Sequence, residues 1–466
     1  MAVRGMTSPG ESAGNEQRVA SGGAVITTAA TSALILACGI VTGLIAARSL
    51  GPTGRGELAT VTVWASVLLY AGTFGLPEAV AYFSATGTAR ERVWITGQMA
   101  SAVLGLLITA AGWWLIPAIF SARADLPADA ILWYLTLFVV PGCASLCASA
   151  WLQGTGRLRA YNIARSSIHV INAAGALLLF VTGSRSVAHF AAVMLLGNVA
   201  GWAIAAAYGP WSRFSPASVP ADLVRRLFHY GFRVQIGNWS NAASVRLDQL
   251  LLSLLAPASS LGLYVVAVTY ANVLQTLPAS AATVMLPEII RHQQAGADAS
   301  LAQWYRRALW MTLPVAAMLA AASIVLLPLL FGRSFEDAVP LVIVLIPATI
   351  LLGMNQLLST AFRGLGRPGV GSKSELIGVS VTLMALVLLL PRYGVFGAAA
   401  ASLMAYASSH LYLLRQVIPT LSGGAKTLYL LNGDDVKAFG EVLHKAHKKV
   451  THAVAAPGTR IQELLL

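Results

Sequence analysis

The sequence predicts an all-α integral membrane protein of about twelve transmembrane helices, and three observations lead to this fold class. Of the 466 residues, 57% are hydrophobic and only 11% are charged, whereas a soluble domain carries roughly 25% charged residues. Apolar stretches as long as the ~20 residues that cross a bilayer recur along almost the whole chain. These stretches lack the alternation of a barrel strand, so their main-chain groups must be satisfied within helices.

The apolar stretches define the order of the spans. A polar segment, residues 1–23, precedes them and is predicted to be a disordered cytoplasmic N-terminus. Residues 209–230 are predicted to be a cytoplasmic loop, and residues 417–466 a basic cytoplasmic tail. In this tail, Asp434 is expected to cap an amphipathic helix that rests on anionic lipid or contacts a partner. The predicted spans are 24–46, 58–82, 93–117, 128–150, 166–183, 187–208, 231–256, 261–287, 308–331, 338–361, 374–391 and 395–416.

Basic residues are distributed unevenly between the loops. Clusters such as Arg157, Arg159 and Arg165 follow the even-numbered spans. The alternate loops hold fewer basic residues, namely Arg48, Arg55, Arg123, Arg185, Arg333 and Arg392. Because positive residues stay on the cytoplasmic side, both termini are predicted to be cytoplasmic, in a multi-pass protein of the cell inner (plasma) membrane. The net charge of +13 therefore encodes orientation, and no nucleic acid partner is expected.

The chain also repeats itself at nearly constant spacing. Three motifs of the first half recur in the same order at matching helix ends of the second half. Six helices per half would give both halves one orientation, related by a pseudo-two-fold axis along the membrane normal. The predicted domains are therefore an N-lobe, 24–208, and a C-lobe, 231–416. The motif pairs are Leu50-Gly51-Pro52 with Leu255-Ala256-Pro257 (followed by Gly56 and Gly262), Leu76-Pro77-Glu78 with Leu286-Pro287-Glu288, and Gly154-Thr155-Gly156-Arg157 with Gly364-Leu365-Gly366-Arg367.

The seventh span is unusually polar, and its polar side chains fall on one arc of the helix. Charged groups inside a span are costly, so we expect this arc to face a bundle interior or a water-filled cavity and to bind a ligand. A structural ion pair between Arg246 and Asp248 is the alternative. The arc consists of Gln235, Asn238, Asn241, Arg246, Asp248 and Gln249, with Arg233 near the start of the span.

Two further spans extend this polar surface. Asn272 and Gln275 share one face of the eighth span, and Arg48 follows the first span. The first span also contains Gly39-x-x-x-Gly43, a pattern typical of close helix packing. Together these spans predict a polar cleft between the lobes.

Glu78 and Glu288 occupy equivalent positions in the two halves, at the predicted cytoplasmic ends of the second and eighth helices. Carboxylates at such an interface are usually solvated. The alternative is a role in gating or cation binding, which their equivalence under the repeat favours slightly.

The sequence argues against an enzyme. It contains no GxxxxGK[ST] motif for a built-in ATPase, and the loops are too short for a catalytic domain. The eight histidines show no metal-ligand spacing, and the three cysteines lie within apolar segments. No cofactor or metal is therefore expected.

Several motifs carry a family resemblance over residues 20–418. The stretch Leu50-Gly-Pro-Thr-Gly-Arg-Gly-Glu-Leu58, followed by a helix that ends Phe74-Gly-Leu-Pro-Glu78, resembles the opening of polysaccharide-transport (Wzx-type) flippases of the MOP exporter superfamily. Further similar motifs are Arg246-Leu-Asp248-Gln-Leu-Leu, Gly262-Leu-Tyr264, Gln153-Gly-Thr-Gly-Arg157 and Phe362-Arg-Gly-Leu-Gly-Arg367.

The resemblance implies a two-lobed carrier that moves undecaprenyl-pyrophosphate-linked oligosaccharides, precursors of cell-surface polysaccharide, from the inner to the outer leaflet. Glycosyltransferases or a polymerase of the same pathway would be its partners. Arginines in the cavity of such flippases engage the anionic headgroup, and Arg246, Arg233 and Arg48 are the candidates here. Lipid II flippases of the superfamily typically have two further C-terminal helices, which argues against lipid II as cargo.

Two other functions stay open. A cation-coupled multidrug (MATE-like) exporter would be expected to hold strongly acidic residues deep in a lobe, whereas Asp248 is the only acidic residue well inside a predicted span. A non-transporting membrane scaffold of a glycan-synthesis complex would be expected to have lost its polar cleft.

Reporter fusions test the predicted topology. A fusion in a loop after an even-numbered span should read cytoplasmic, and one in an alternate loop should read external, because the basic residues set the orientation. The cytoplasmic sites follow Arg157, Arg226, Arg291 and Arg367, and the external sites lie near Asp125, Ser259 and Glu336. One inversion between consecutive sites would show that a span is missing or has been added.

Overall fold

The structure, a computed structural model, describes residues 9–87, 89–120, 128–211, 220–291 and 297–435, with residues 437 and 440. Within these ranges the chain is almost entirely helical and contains no strand, which confirms the predicted all-α fold class. Short 3-10 turns at Asn272–Gln275, Arg333–Ala338 and Ile418–Thr420 join some of the helices. The helices are α1 (Pro9–Gly72), α2 (Leu76–Ala85), α3 (Arg90–Phe120), α4 (Ala128–Gly154), α5 (Leu158–Val181), α6 (Val187–Ala207), α7 (Ala221–Leu255), α8 (Ala258–Ala271), α9 (Thr276–Arg291), α10 (Ala297–Phe331), α11 (Val339–Gly364), α12 (Pro368–Val417) and α13 (Lys426–Tyr429).

Nine stretches of the described chain are long and apolar enough to cross a membrane. Two of them, Ala30–Tyr70 with 41 residues and Pro368–Thr420 with 53, are as long as two crossings of ~20 residues each. Each is bent at a glycine with positive φ, Gly51 (66°) or Gly394 (54°). The polar helix α7 is not among the nine. The predicted number of twelve stays a prediction.

Helix α1 begins at Pro9, within the segment 1–23 that was expected to be disordered. Proline suits the first helical position, where its missing N–H would have had no partner. The disordered cytoplasmic N-terminus over residues 1–23 stays a prediction.

Two predicted spans are interrupted. The second, 58–82, is divided by a turn in which Phe74 (φ 48°) and Gly75 (φ 68°) are left-handed, and the N–H of Leu76 donates to the carbonyl of Thr73 across it (3.0 Å). The eighth, 261–287, changes to 3-10 geometry at Asn272–Gln275. The first stretch stays largely apolar through its break, so hydropathy alone does not reveal it, whereas the second contains the polar residues Asn272 and Gln275 at its break.

The third repeated motif forms the same turn in both halves. Gly156 (φ 75°) and Gly366 (φ 73°) are left-handed after α4 and α11. The N–H of Arg157 donates to the carbonyl of Leu152 (2.9 Å), and the N–H of Arg367 donates to that of Phe362 (2.8 Å). This six-to-one hydrogen bond defines a Schellman cap, in which glycine avoids the steric cost of positive φ.

The first repeated motif forms a reciprocal contact between its two copies. A Cβ atom at Gly56 in α1 would lie 1.7 Å from the carbonyl oxygen of Ala258, and one at Gly262 in α8 would lie 1.9 Å from that of Pro52. Each glycine thus meets the residue four positions before the other glycine. Main chains approach this closely only where both helices lack a side chain.

The chain forms two compact units. The first comprises Met1–Val273, Leu319–Ala348 and Glu375–Ala405, and the second Leu274–Met318, Thr349–Ser374 and Tyr406–Leu466. The first has a core that includes Trp64, Trp94 and Trp151. The second is built around Tyr305 and Phe362. These units divide the chain differently from the predicted lobes 24–208 and 231–416, which stay a prediction.

The start of the C-terminal tail is packed within the second unit. The carboxylate of Asp435 is fully buried and pairs with Arg306 and with Arg307 (2.9 Å) of α10. Burial acts to raise the pKa of Asp435, but the hydrogen bonds from these arginines outweigh it and hold the pKa below its usual value. Oδ1 of Asn432 accepts a hydrogen bond from the N–H of Asp435 (3.0 Å). The amphipathic helix that Asp434 is expected to cap lies largely outside the described residues and stays a prediction.

The glycine contact can be tested by adding single methyl groups. Gly56→Ala should lower the free energy of unfolding of the detergent-purified protein by about 1–3 kcal/mol, because the added methyl group forces α1 and α8 apart. The melting temperature should fall accordingly. Gly43→Ala, on the same helix, is the matched control, since its Cβ would meet no described atom within 4 Å. Equal melting temperatures for the two variants would contradict the close contact.

The tail anchor can be tested by removing one charge. Asp435→Asn should destabilise the protein by about 3–5 kcal/mol, because it leaves the buried guanidinium of Arg306 without a counter-charge. Thermal unfolding and limited proteolysis of the tail would measure the loss. Asp434→Asn removes a neighbouring exposed charge and should change neither measurement. The same loss in both variants would refute the anchor.

Candidate functional site

The polar residues of α7 divide into buried and exposed groups. Gln235, Asp248 and Gln249 are buried, with 2%, 7% and 5% of their surface exposed. Arg233 and Arg246 are exposed. Asn238 and Asn241 lie in the same helix, but their side chains fall outside the described residues. The predicted arc therefore holds two kinds of residue.

Asp248 connects three helices. Its carboxylate accepts hydrogen bonds from the hydroxyl of Tyr264 in α8 (2.5 Å), the main-chain N–H of Gln249 (2.7 Å) and the hydroxyl of Ser402 in α12 (3.5 Å). These donors satisfy a carboxylate that is almost removed from solvent. Asp248 is therefore a structural anchor of α7.

The buried face of α7 also joins α1. Gln235 Nε2 donates to the carbonyl of Tyr70 (2.7 Å), and Trp64 Nε1 donates to the hydroxyl of Ser253 (3.0 Å). At the turn before α2, a Cβ atom at Gly231 would lie 2.7 Å from the carbonyl oxygen of Gly75. These contacts fix the rotation of α7 about its own axis.

Arg246 is not the partner that satisfies Asp248. Its Nη1 donates to Oε1 of Gln249 (3.3 Å), which uses one of the five guanidinium N–H groups. The expected alternative of a structural Arg246–Asp248 ion pair does not describe this geometry, since Asp248 is held by Tyr264, Ser402 and the main chain. Arg246 is thus an exposed cation on a helix whose position does not depend on it.

The remaining predicted residues have separate surroundings. Arg48 is exposed, and its Nη2 donates to the carbonyl of Leu329 in α10. Asn272 is exposed at the end of α8, and Gln275 is half-buried in the 3-10 turn that follows. The binding role of these three residues stays a prediction.

The two glutamates differ in their environments. Glu288 of α9 accepts hydrogen bonds from Ser300 (2.9 Å) and Trp304 Nε1 (2.8 Å) of α10, which hold the carboxylate in place. Glu78 is half-buried in the first turn of α2. Their role in gating or cation binding stays a prediction. In the described part of the chain no group of three His, Cys, Asp or Glu residues could hold a metal ion.

The predicted packing face of the first span is wrong. A Cβ atom at Gly39 or at Gly43 would meet no described atom within 4 Å, so this face borders open space. Helix α1 packs instead through the adjacent turn, where Ile45, Ala46 and Ala47 are buried.

Three residues of the site were missed at the sequence level. Tyr264 belongs to a motif of the family resemblance but has the appearance of an apolar core residue, and Ser402 has no signal. Arg55 was assigned to a loop. It is half-buried inside α1, and its Nε has no hydrogen-bond partner among the described residues. Such a group can take an anionic partner.

The exposed arginines define what the site can do chemically. A guanidinium is always charged, and its parallel N–H groups match phosphate or carboxylate oxygens. Arg233 and Arg246 lie thirteen positions apart on α7, a rise of about 20 Å, so one phosphate cannot contact both. At 100° per residue they also project about 140° apart around the helix axis, so the two arginines do not share one face of α7.

Comparisons with known proteins identify the family of this chain. Residues 19–293 match the sequence model of the family described as polysaccharide biosynthesis protein. The uncharacterized membrane protein MJ1068 of Methanocaldococcus jannaschii is 27% identical over 189 residues, which are 40% of this chain and only 37% of that relative.

Solved structures share the fold at low sequence identity. The lipid II flippase MurJ, in an inward closed conformation, is 13% identical with a TM-score of 0.71, over 84% of this chain and 87% of that one. An inward-facing multidrug resistance MATE family transporter of the MOP superfamily is 15% identical with a TM-score of 0.63, over 82% and 94%. This chain has the fold of that superfamily, and it belongs to the polysaccharide biosynthesis protein family of membrane proteins.

Proposed function

We propose that the protein is a flippase that moves undecaprenyl-pyrophosphate-linked oligosaccharide from the inner to the outer leaflet by alternating access. The observation that carries this proposal is the exposed guanidinium of Arg246 on α7, a helix that is held in place by the hydrogen bonds of other residues. Membership of the polysaccharide biosynthesis family supports a glycan precursor as cargo. The protein would act in the plasma membrane, with both termini in the cytoplasm, beside glycosyltransferases or a polymerase of the same pathway.

The cargo explains why an arginine would be needed. A pyrophosphate that leaves water for a low-dielectric passage loses hydration worth many kcal/mol unless a counter-charge replaces it. Arg233 near the start of α7 would meet the headgroup first, and Arg246 would meet it later. Arg55, with its unpartnered Nε, would offer a further counter-charge in α1.

The reciprocal glycine contact gives a candidate gate. The stretches 52–56 and 258–262 lie at the predicted external end of their helices, and each glycine contacts the opposite main chain. Release of cargo to the outer leaflet would require such a contact to open. Glycine pairs suit this role, because they close by main-chain contact alone and leave no interlocked side chains to withdraw.

A cation-coupled multidrug exporter is the second candidate, favoured by the buried acid Asp248 and the fold shared with a MATE family transporter. In that case Asp248→Asn would abolish dye efflux from cells. A flippase predicts no dye efflux by the unmodified protein. A non-transporting scaffold predicts that glycan display survives every cavity substitution.

The Arg246 role can be tested by substitution. Arg246→Ala should abolish surface display of the glycan while the amount of detergent-extracted protein stays nearly unchanged, because Asp248 keeps its partners. Arg246→Lys should retain part of the activity, since an ammonium is a point charge without a fork of parallel donors. Normal display at normal abundance would remove Arg246 from the mechanism.

Asp248 provides the contrasting variant. Asp248→Ala leaves the buried hydroxyl of Tyr264 without its acceptor, which should destabilise the protein by about 1–3 kcal/mol and reduce its abundance. If Arg246→Ala reduced the abundance of the protein as much, Arg246 would be needed for folding rather than for transport.

A further inference from the structure

A polar pocket of about 330 Å³ lies where α3 and α5 begin and α6 ends. Its volume is in the range of small-ligand sites. Its position is at the predicted cytoplasmic surface, and none of its lining residues is one of those proposed to carry the glycan. The residues that decide its chemistry are Arg90, Glu91, Trp151, Arg157 and Tyr208.

Arg157 is oriented by two contacts. Its Nη1 donates to the carbonyl of Tyr208 (2.8 Å), and its guanidinium carbon lies 5.2 Å from the ring centroid of Trp151. The first contact caps the end of α6, and the second stacks the cation on an aromatic face. The residue is exposed, and most of its N–H groups are not used by these contacts.

Arg90 is fixed from the other side. Its Nε donates to the carbonyl of Ser84 (3.1 Å), and its own carbonyl accepts from Trp151 Nε1 (2.9 Å). Trp151 therefore connects both arginines. Arg90 and Arg157 also stand at the starts of α3 and α5, where helix dipoles add partial positive charge.

In the second half of the chain, the equivalent turn at Gly366 forms without a pair of arginines such as Arg90 and Arg157. Arg367, the counterpart of Arg157, also stacks on an aromatic ring, that of Phe362 (5.6 Å). The residue that corresponds to Arg90 in the Leu76/Leu286 register is Ser300, which bonds to Glu288. The arginine pair is therefore an addition to the first half rather than part of the repeated scaffold.

We propose that this pocket binds the phosphodiester of an anionic membrane lipid, as a resident ligand distinct from the transported cargo. Arg90 and Arg157 supply two cations and Glu91 one anion, so the pocket carries a formal charge of +1 that matches a single phosphodiester charge. Trp151 and Tyr208 are the aromatic residues that favour the headgroup level of a bilayer. Basic pockets between helices on the cytoplasmic side bind anionic headgroups in this way.

Lipid titration of the full-length protein tests the proposal. The purified chain, stripped of lipid in detergent, is titrated with phosphatidylglycerol, phosphatidylcholine or inorganic phosphate, and native mass spectrometry reports the bound species. Phosphatidylglycerol should bind at least tenfold more tightly than phosphatidylcholine. Arg90→Gln and Arg157→Gln should each weaken phosphatidylglycerol binding about tenfold, through the loss of a charge-assisted hydrogen bond.

Two controls keep the result interpretable. Arg159→Gln removes an exposed arginine two positions further along α5, outside the pocket, and should leave binding unchanged. Arg90→Gln keeps the Arg157–Tyr208 contact and the bond from Trp151 to the main-chain carbonyl of residue 90, and it loses only the bond to Ser84, so its melting temperature without lipid should fall by no more than a few degrees. Equal binding of the two lipids, insensitivity to Arg90→Gln and Arg157→Gln, or variant-sensitive binding of inorganic phosphate alone would each overturn the lipid assignment. None of these outcomes depends on whether the protein moves a glycan.

Discussion

Main-chain N–H and C=O groups find no partner in hydrocarbon, so each interruption of a helix must supply its own hydrogen bonds. The described interruptions do this largely with glycine. Left-handed Gly156 and Gly366 let the N–H groups of the next residues return to the preceding helix, and Gly75 completes the turn before α2. Glycine also permits the close contact of α1 with α8 at Gly56 and Gly262, because a side chain at either position would clash with the opposite main chain. The scaffold therefore depends on where its glycines lie.

A helix placed by such contacts can carry charges that the fold does not use. In α7, the buried side chains of Gln235 and Asp248 form hydrogen bonds with Tyr70, Tyr264 and Ser402. These bonds hold the exposed Arg233 and Arg246 at fixed positions along α7, although neither arginine takes part in them. This separation matters in a membrane, where a charge required for folding would be neutralised by its partner and lost to any ligand.

The sequence predicted much of this arrangement, because hydropathy and repeated motifs depend on local residues. The helical membrane fold and the polar arc of α7 follow from the spacing of apolar and polar residues. The matching turns at Gly156 and Gly366 follow from the repeated motif. The division of that arc could not be predicted, since it depends on Tyr264 and Ser402, which come from other helices. The turn at Phe74 was missed because a left-handed phenylalanine has no signature in composition. The tail anchor at Asp435 depends on Arg306, far away in the chain.

Repetition and asymmetry have different consequences for function. The turns at Gly156 and Gly366 recur in both halves, and one contact joins the two copies of the first motif at Gly56 and Gly262. The charges within spans do not recur: the first predicted span, 24–46, contains no Asp, Glu, Lys, Arg or His, whereas the seventh, 231–256, contains Arg233, Arg246 and Asp248. The arginine pair at Arg90 and Arg157 is likewise confined to one half. Under the proposed function, an anionic headgroup would therefore meet different cations on the two halves of the chain, Arg48 and Arg55 in α1 and Arg233 and Arg246 in α7.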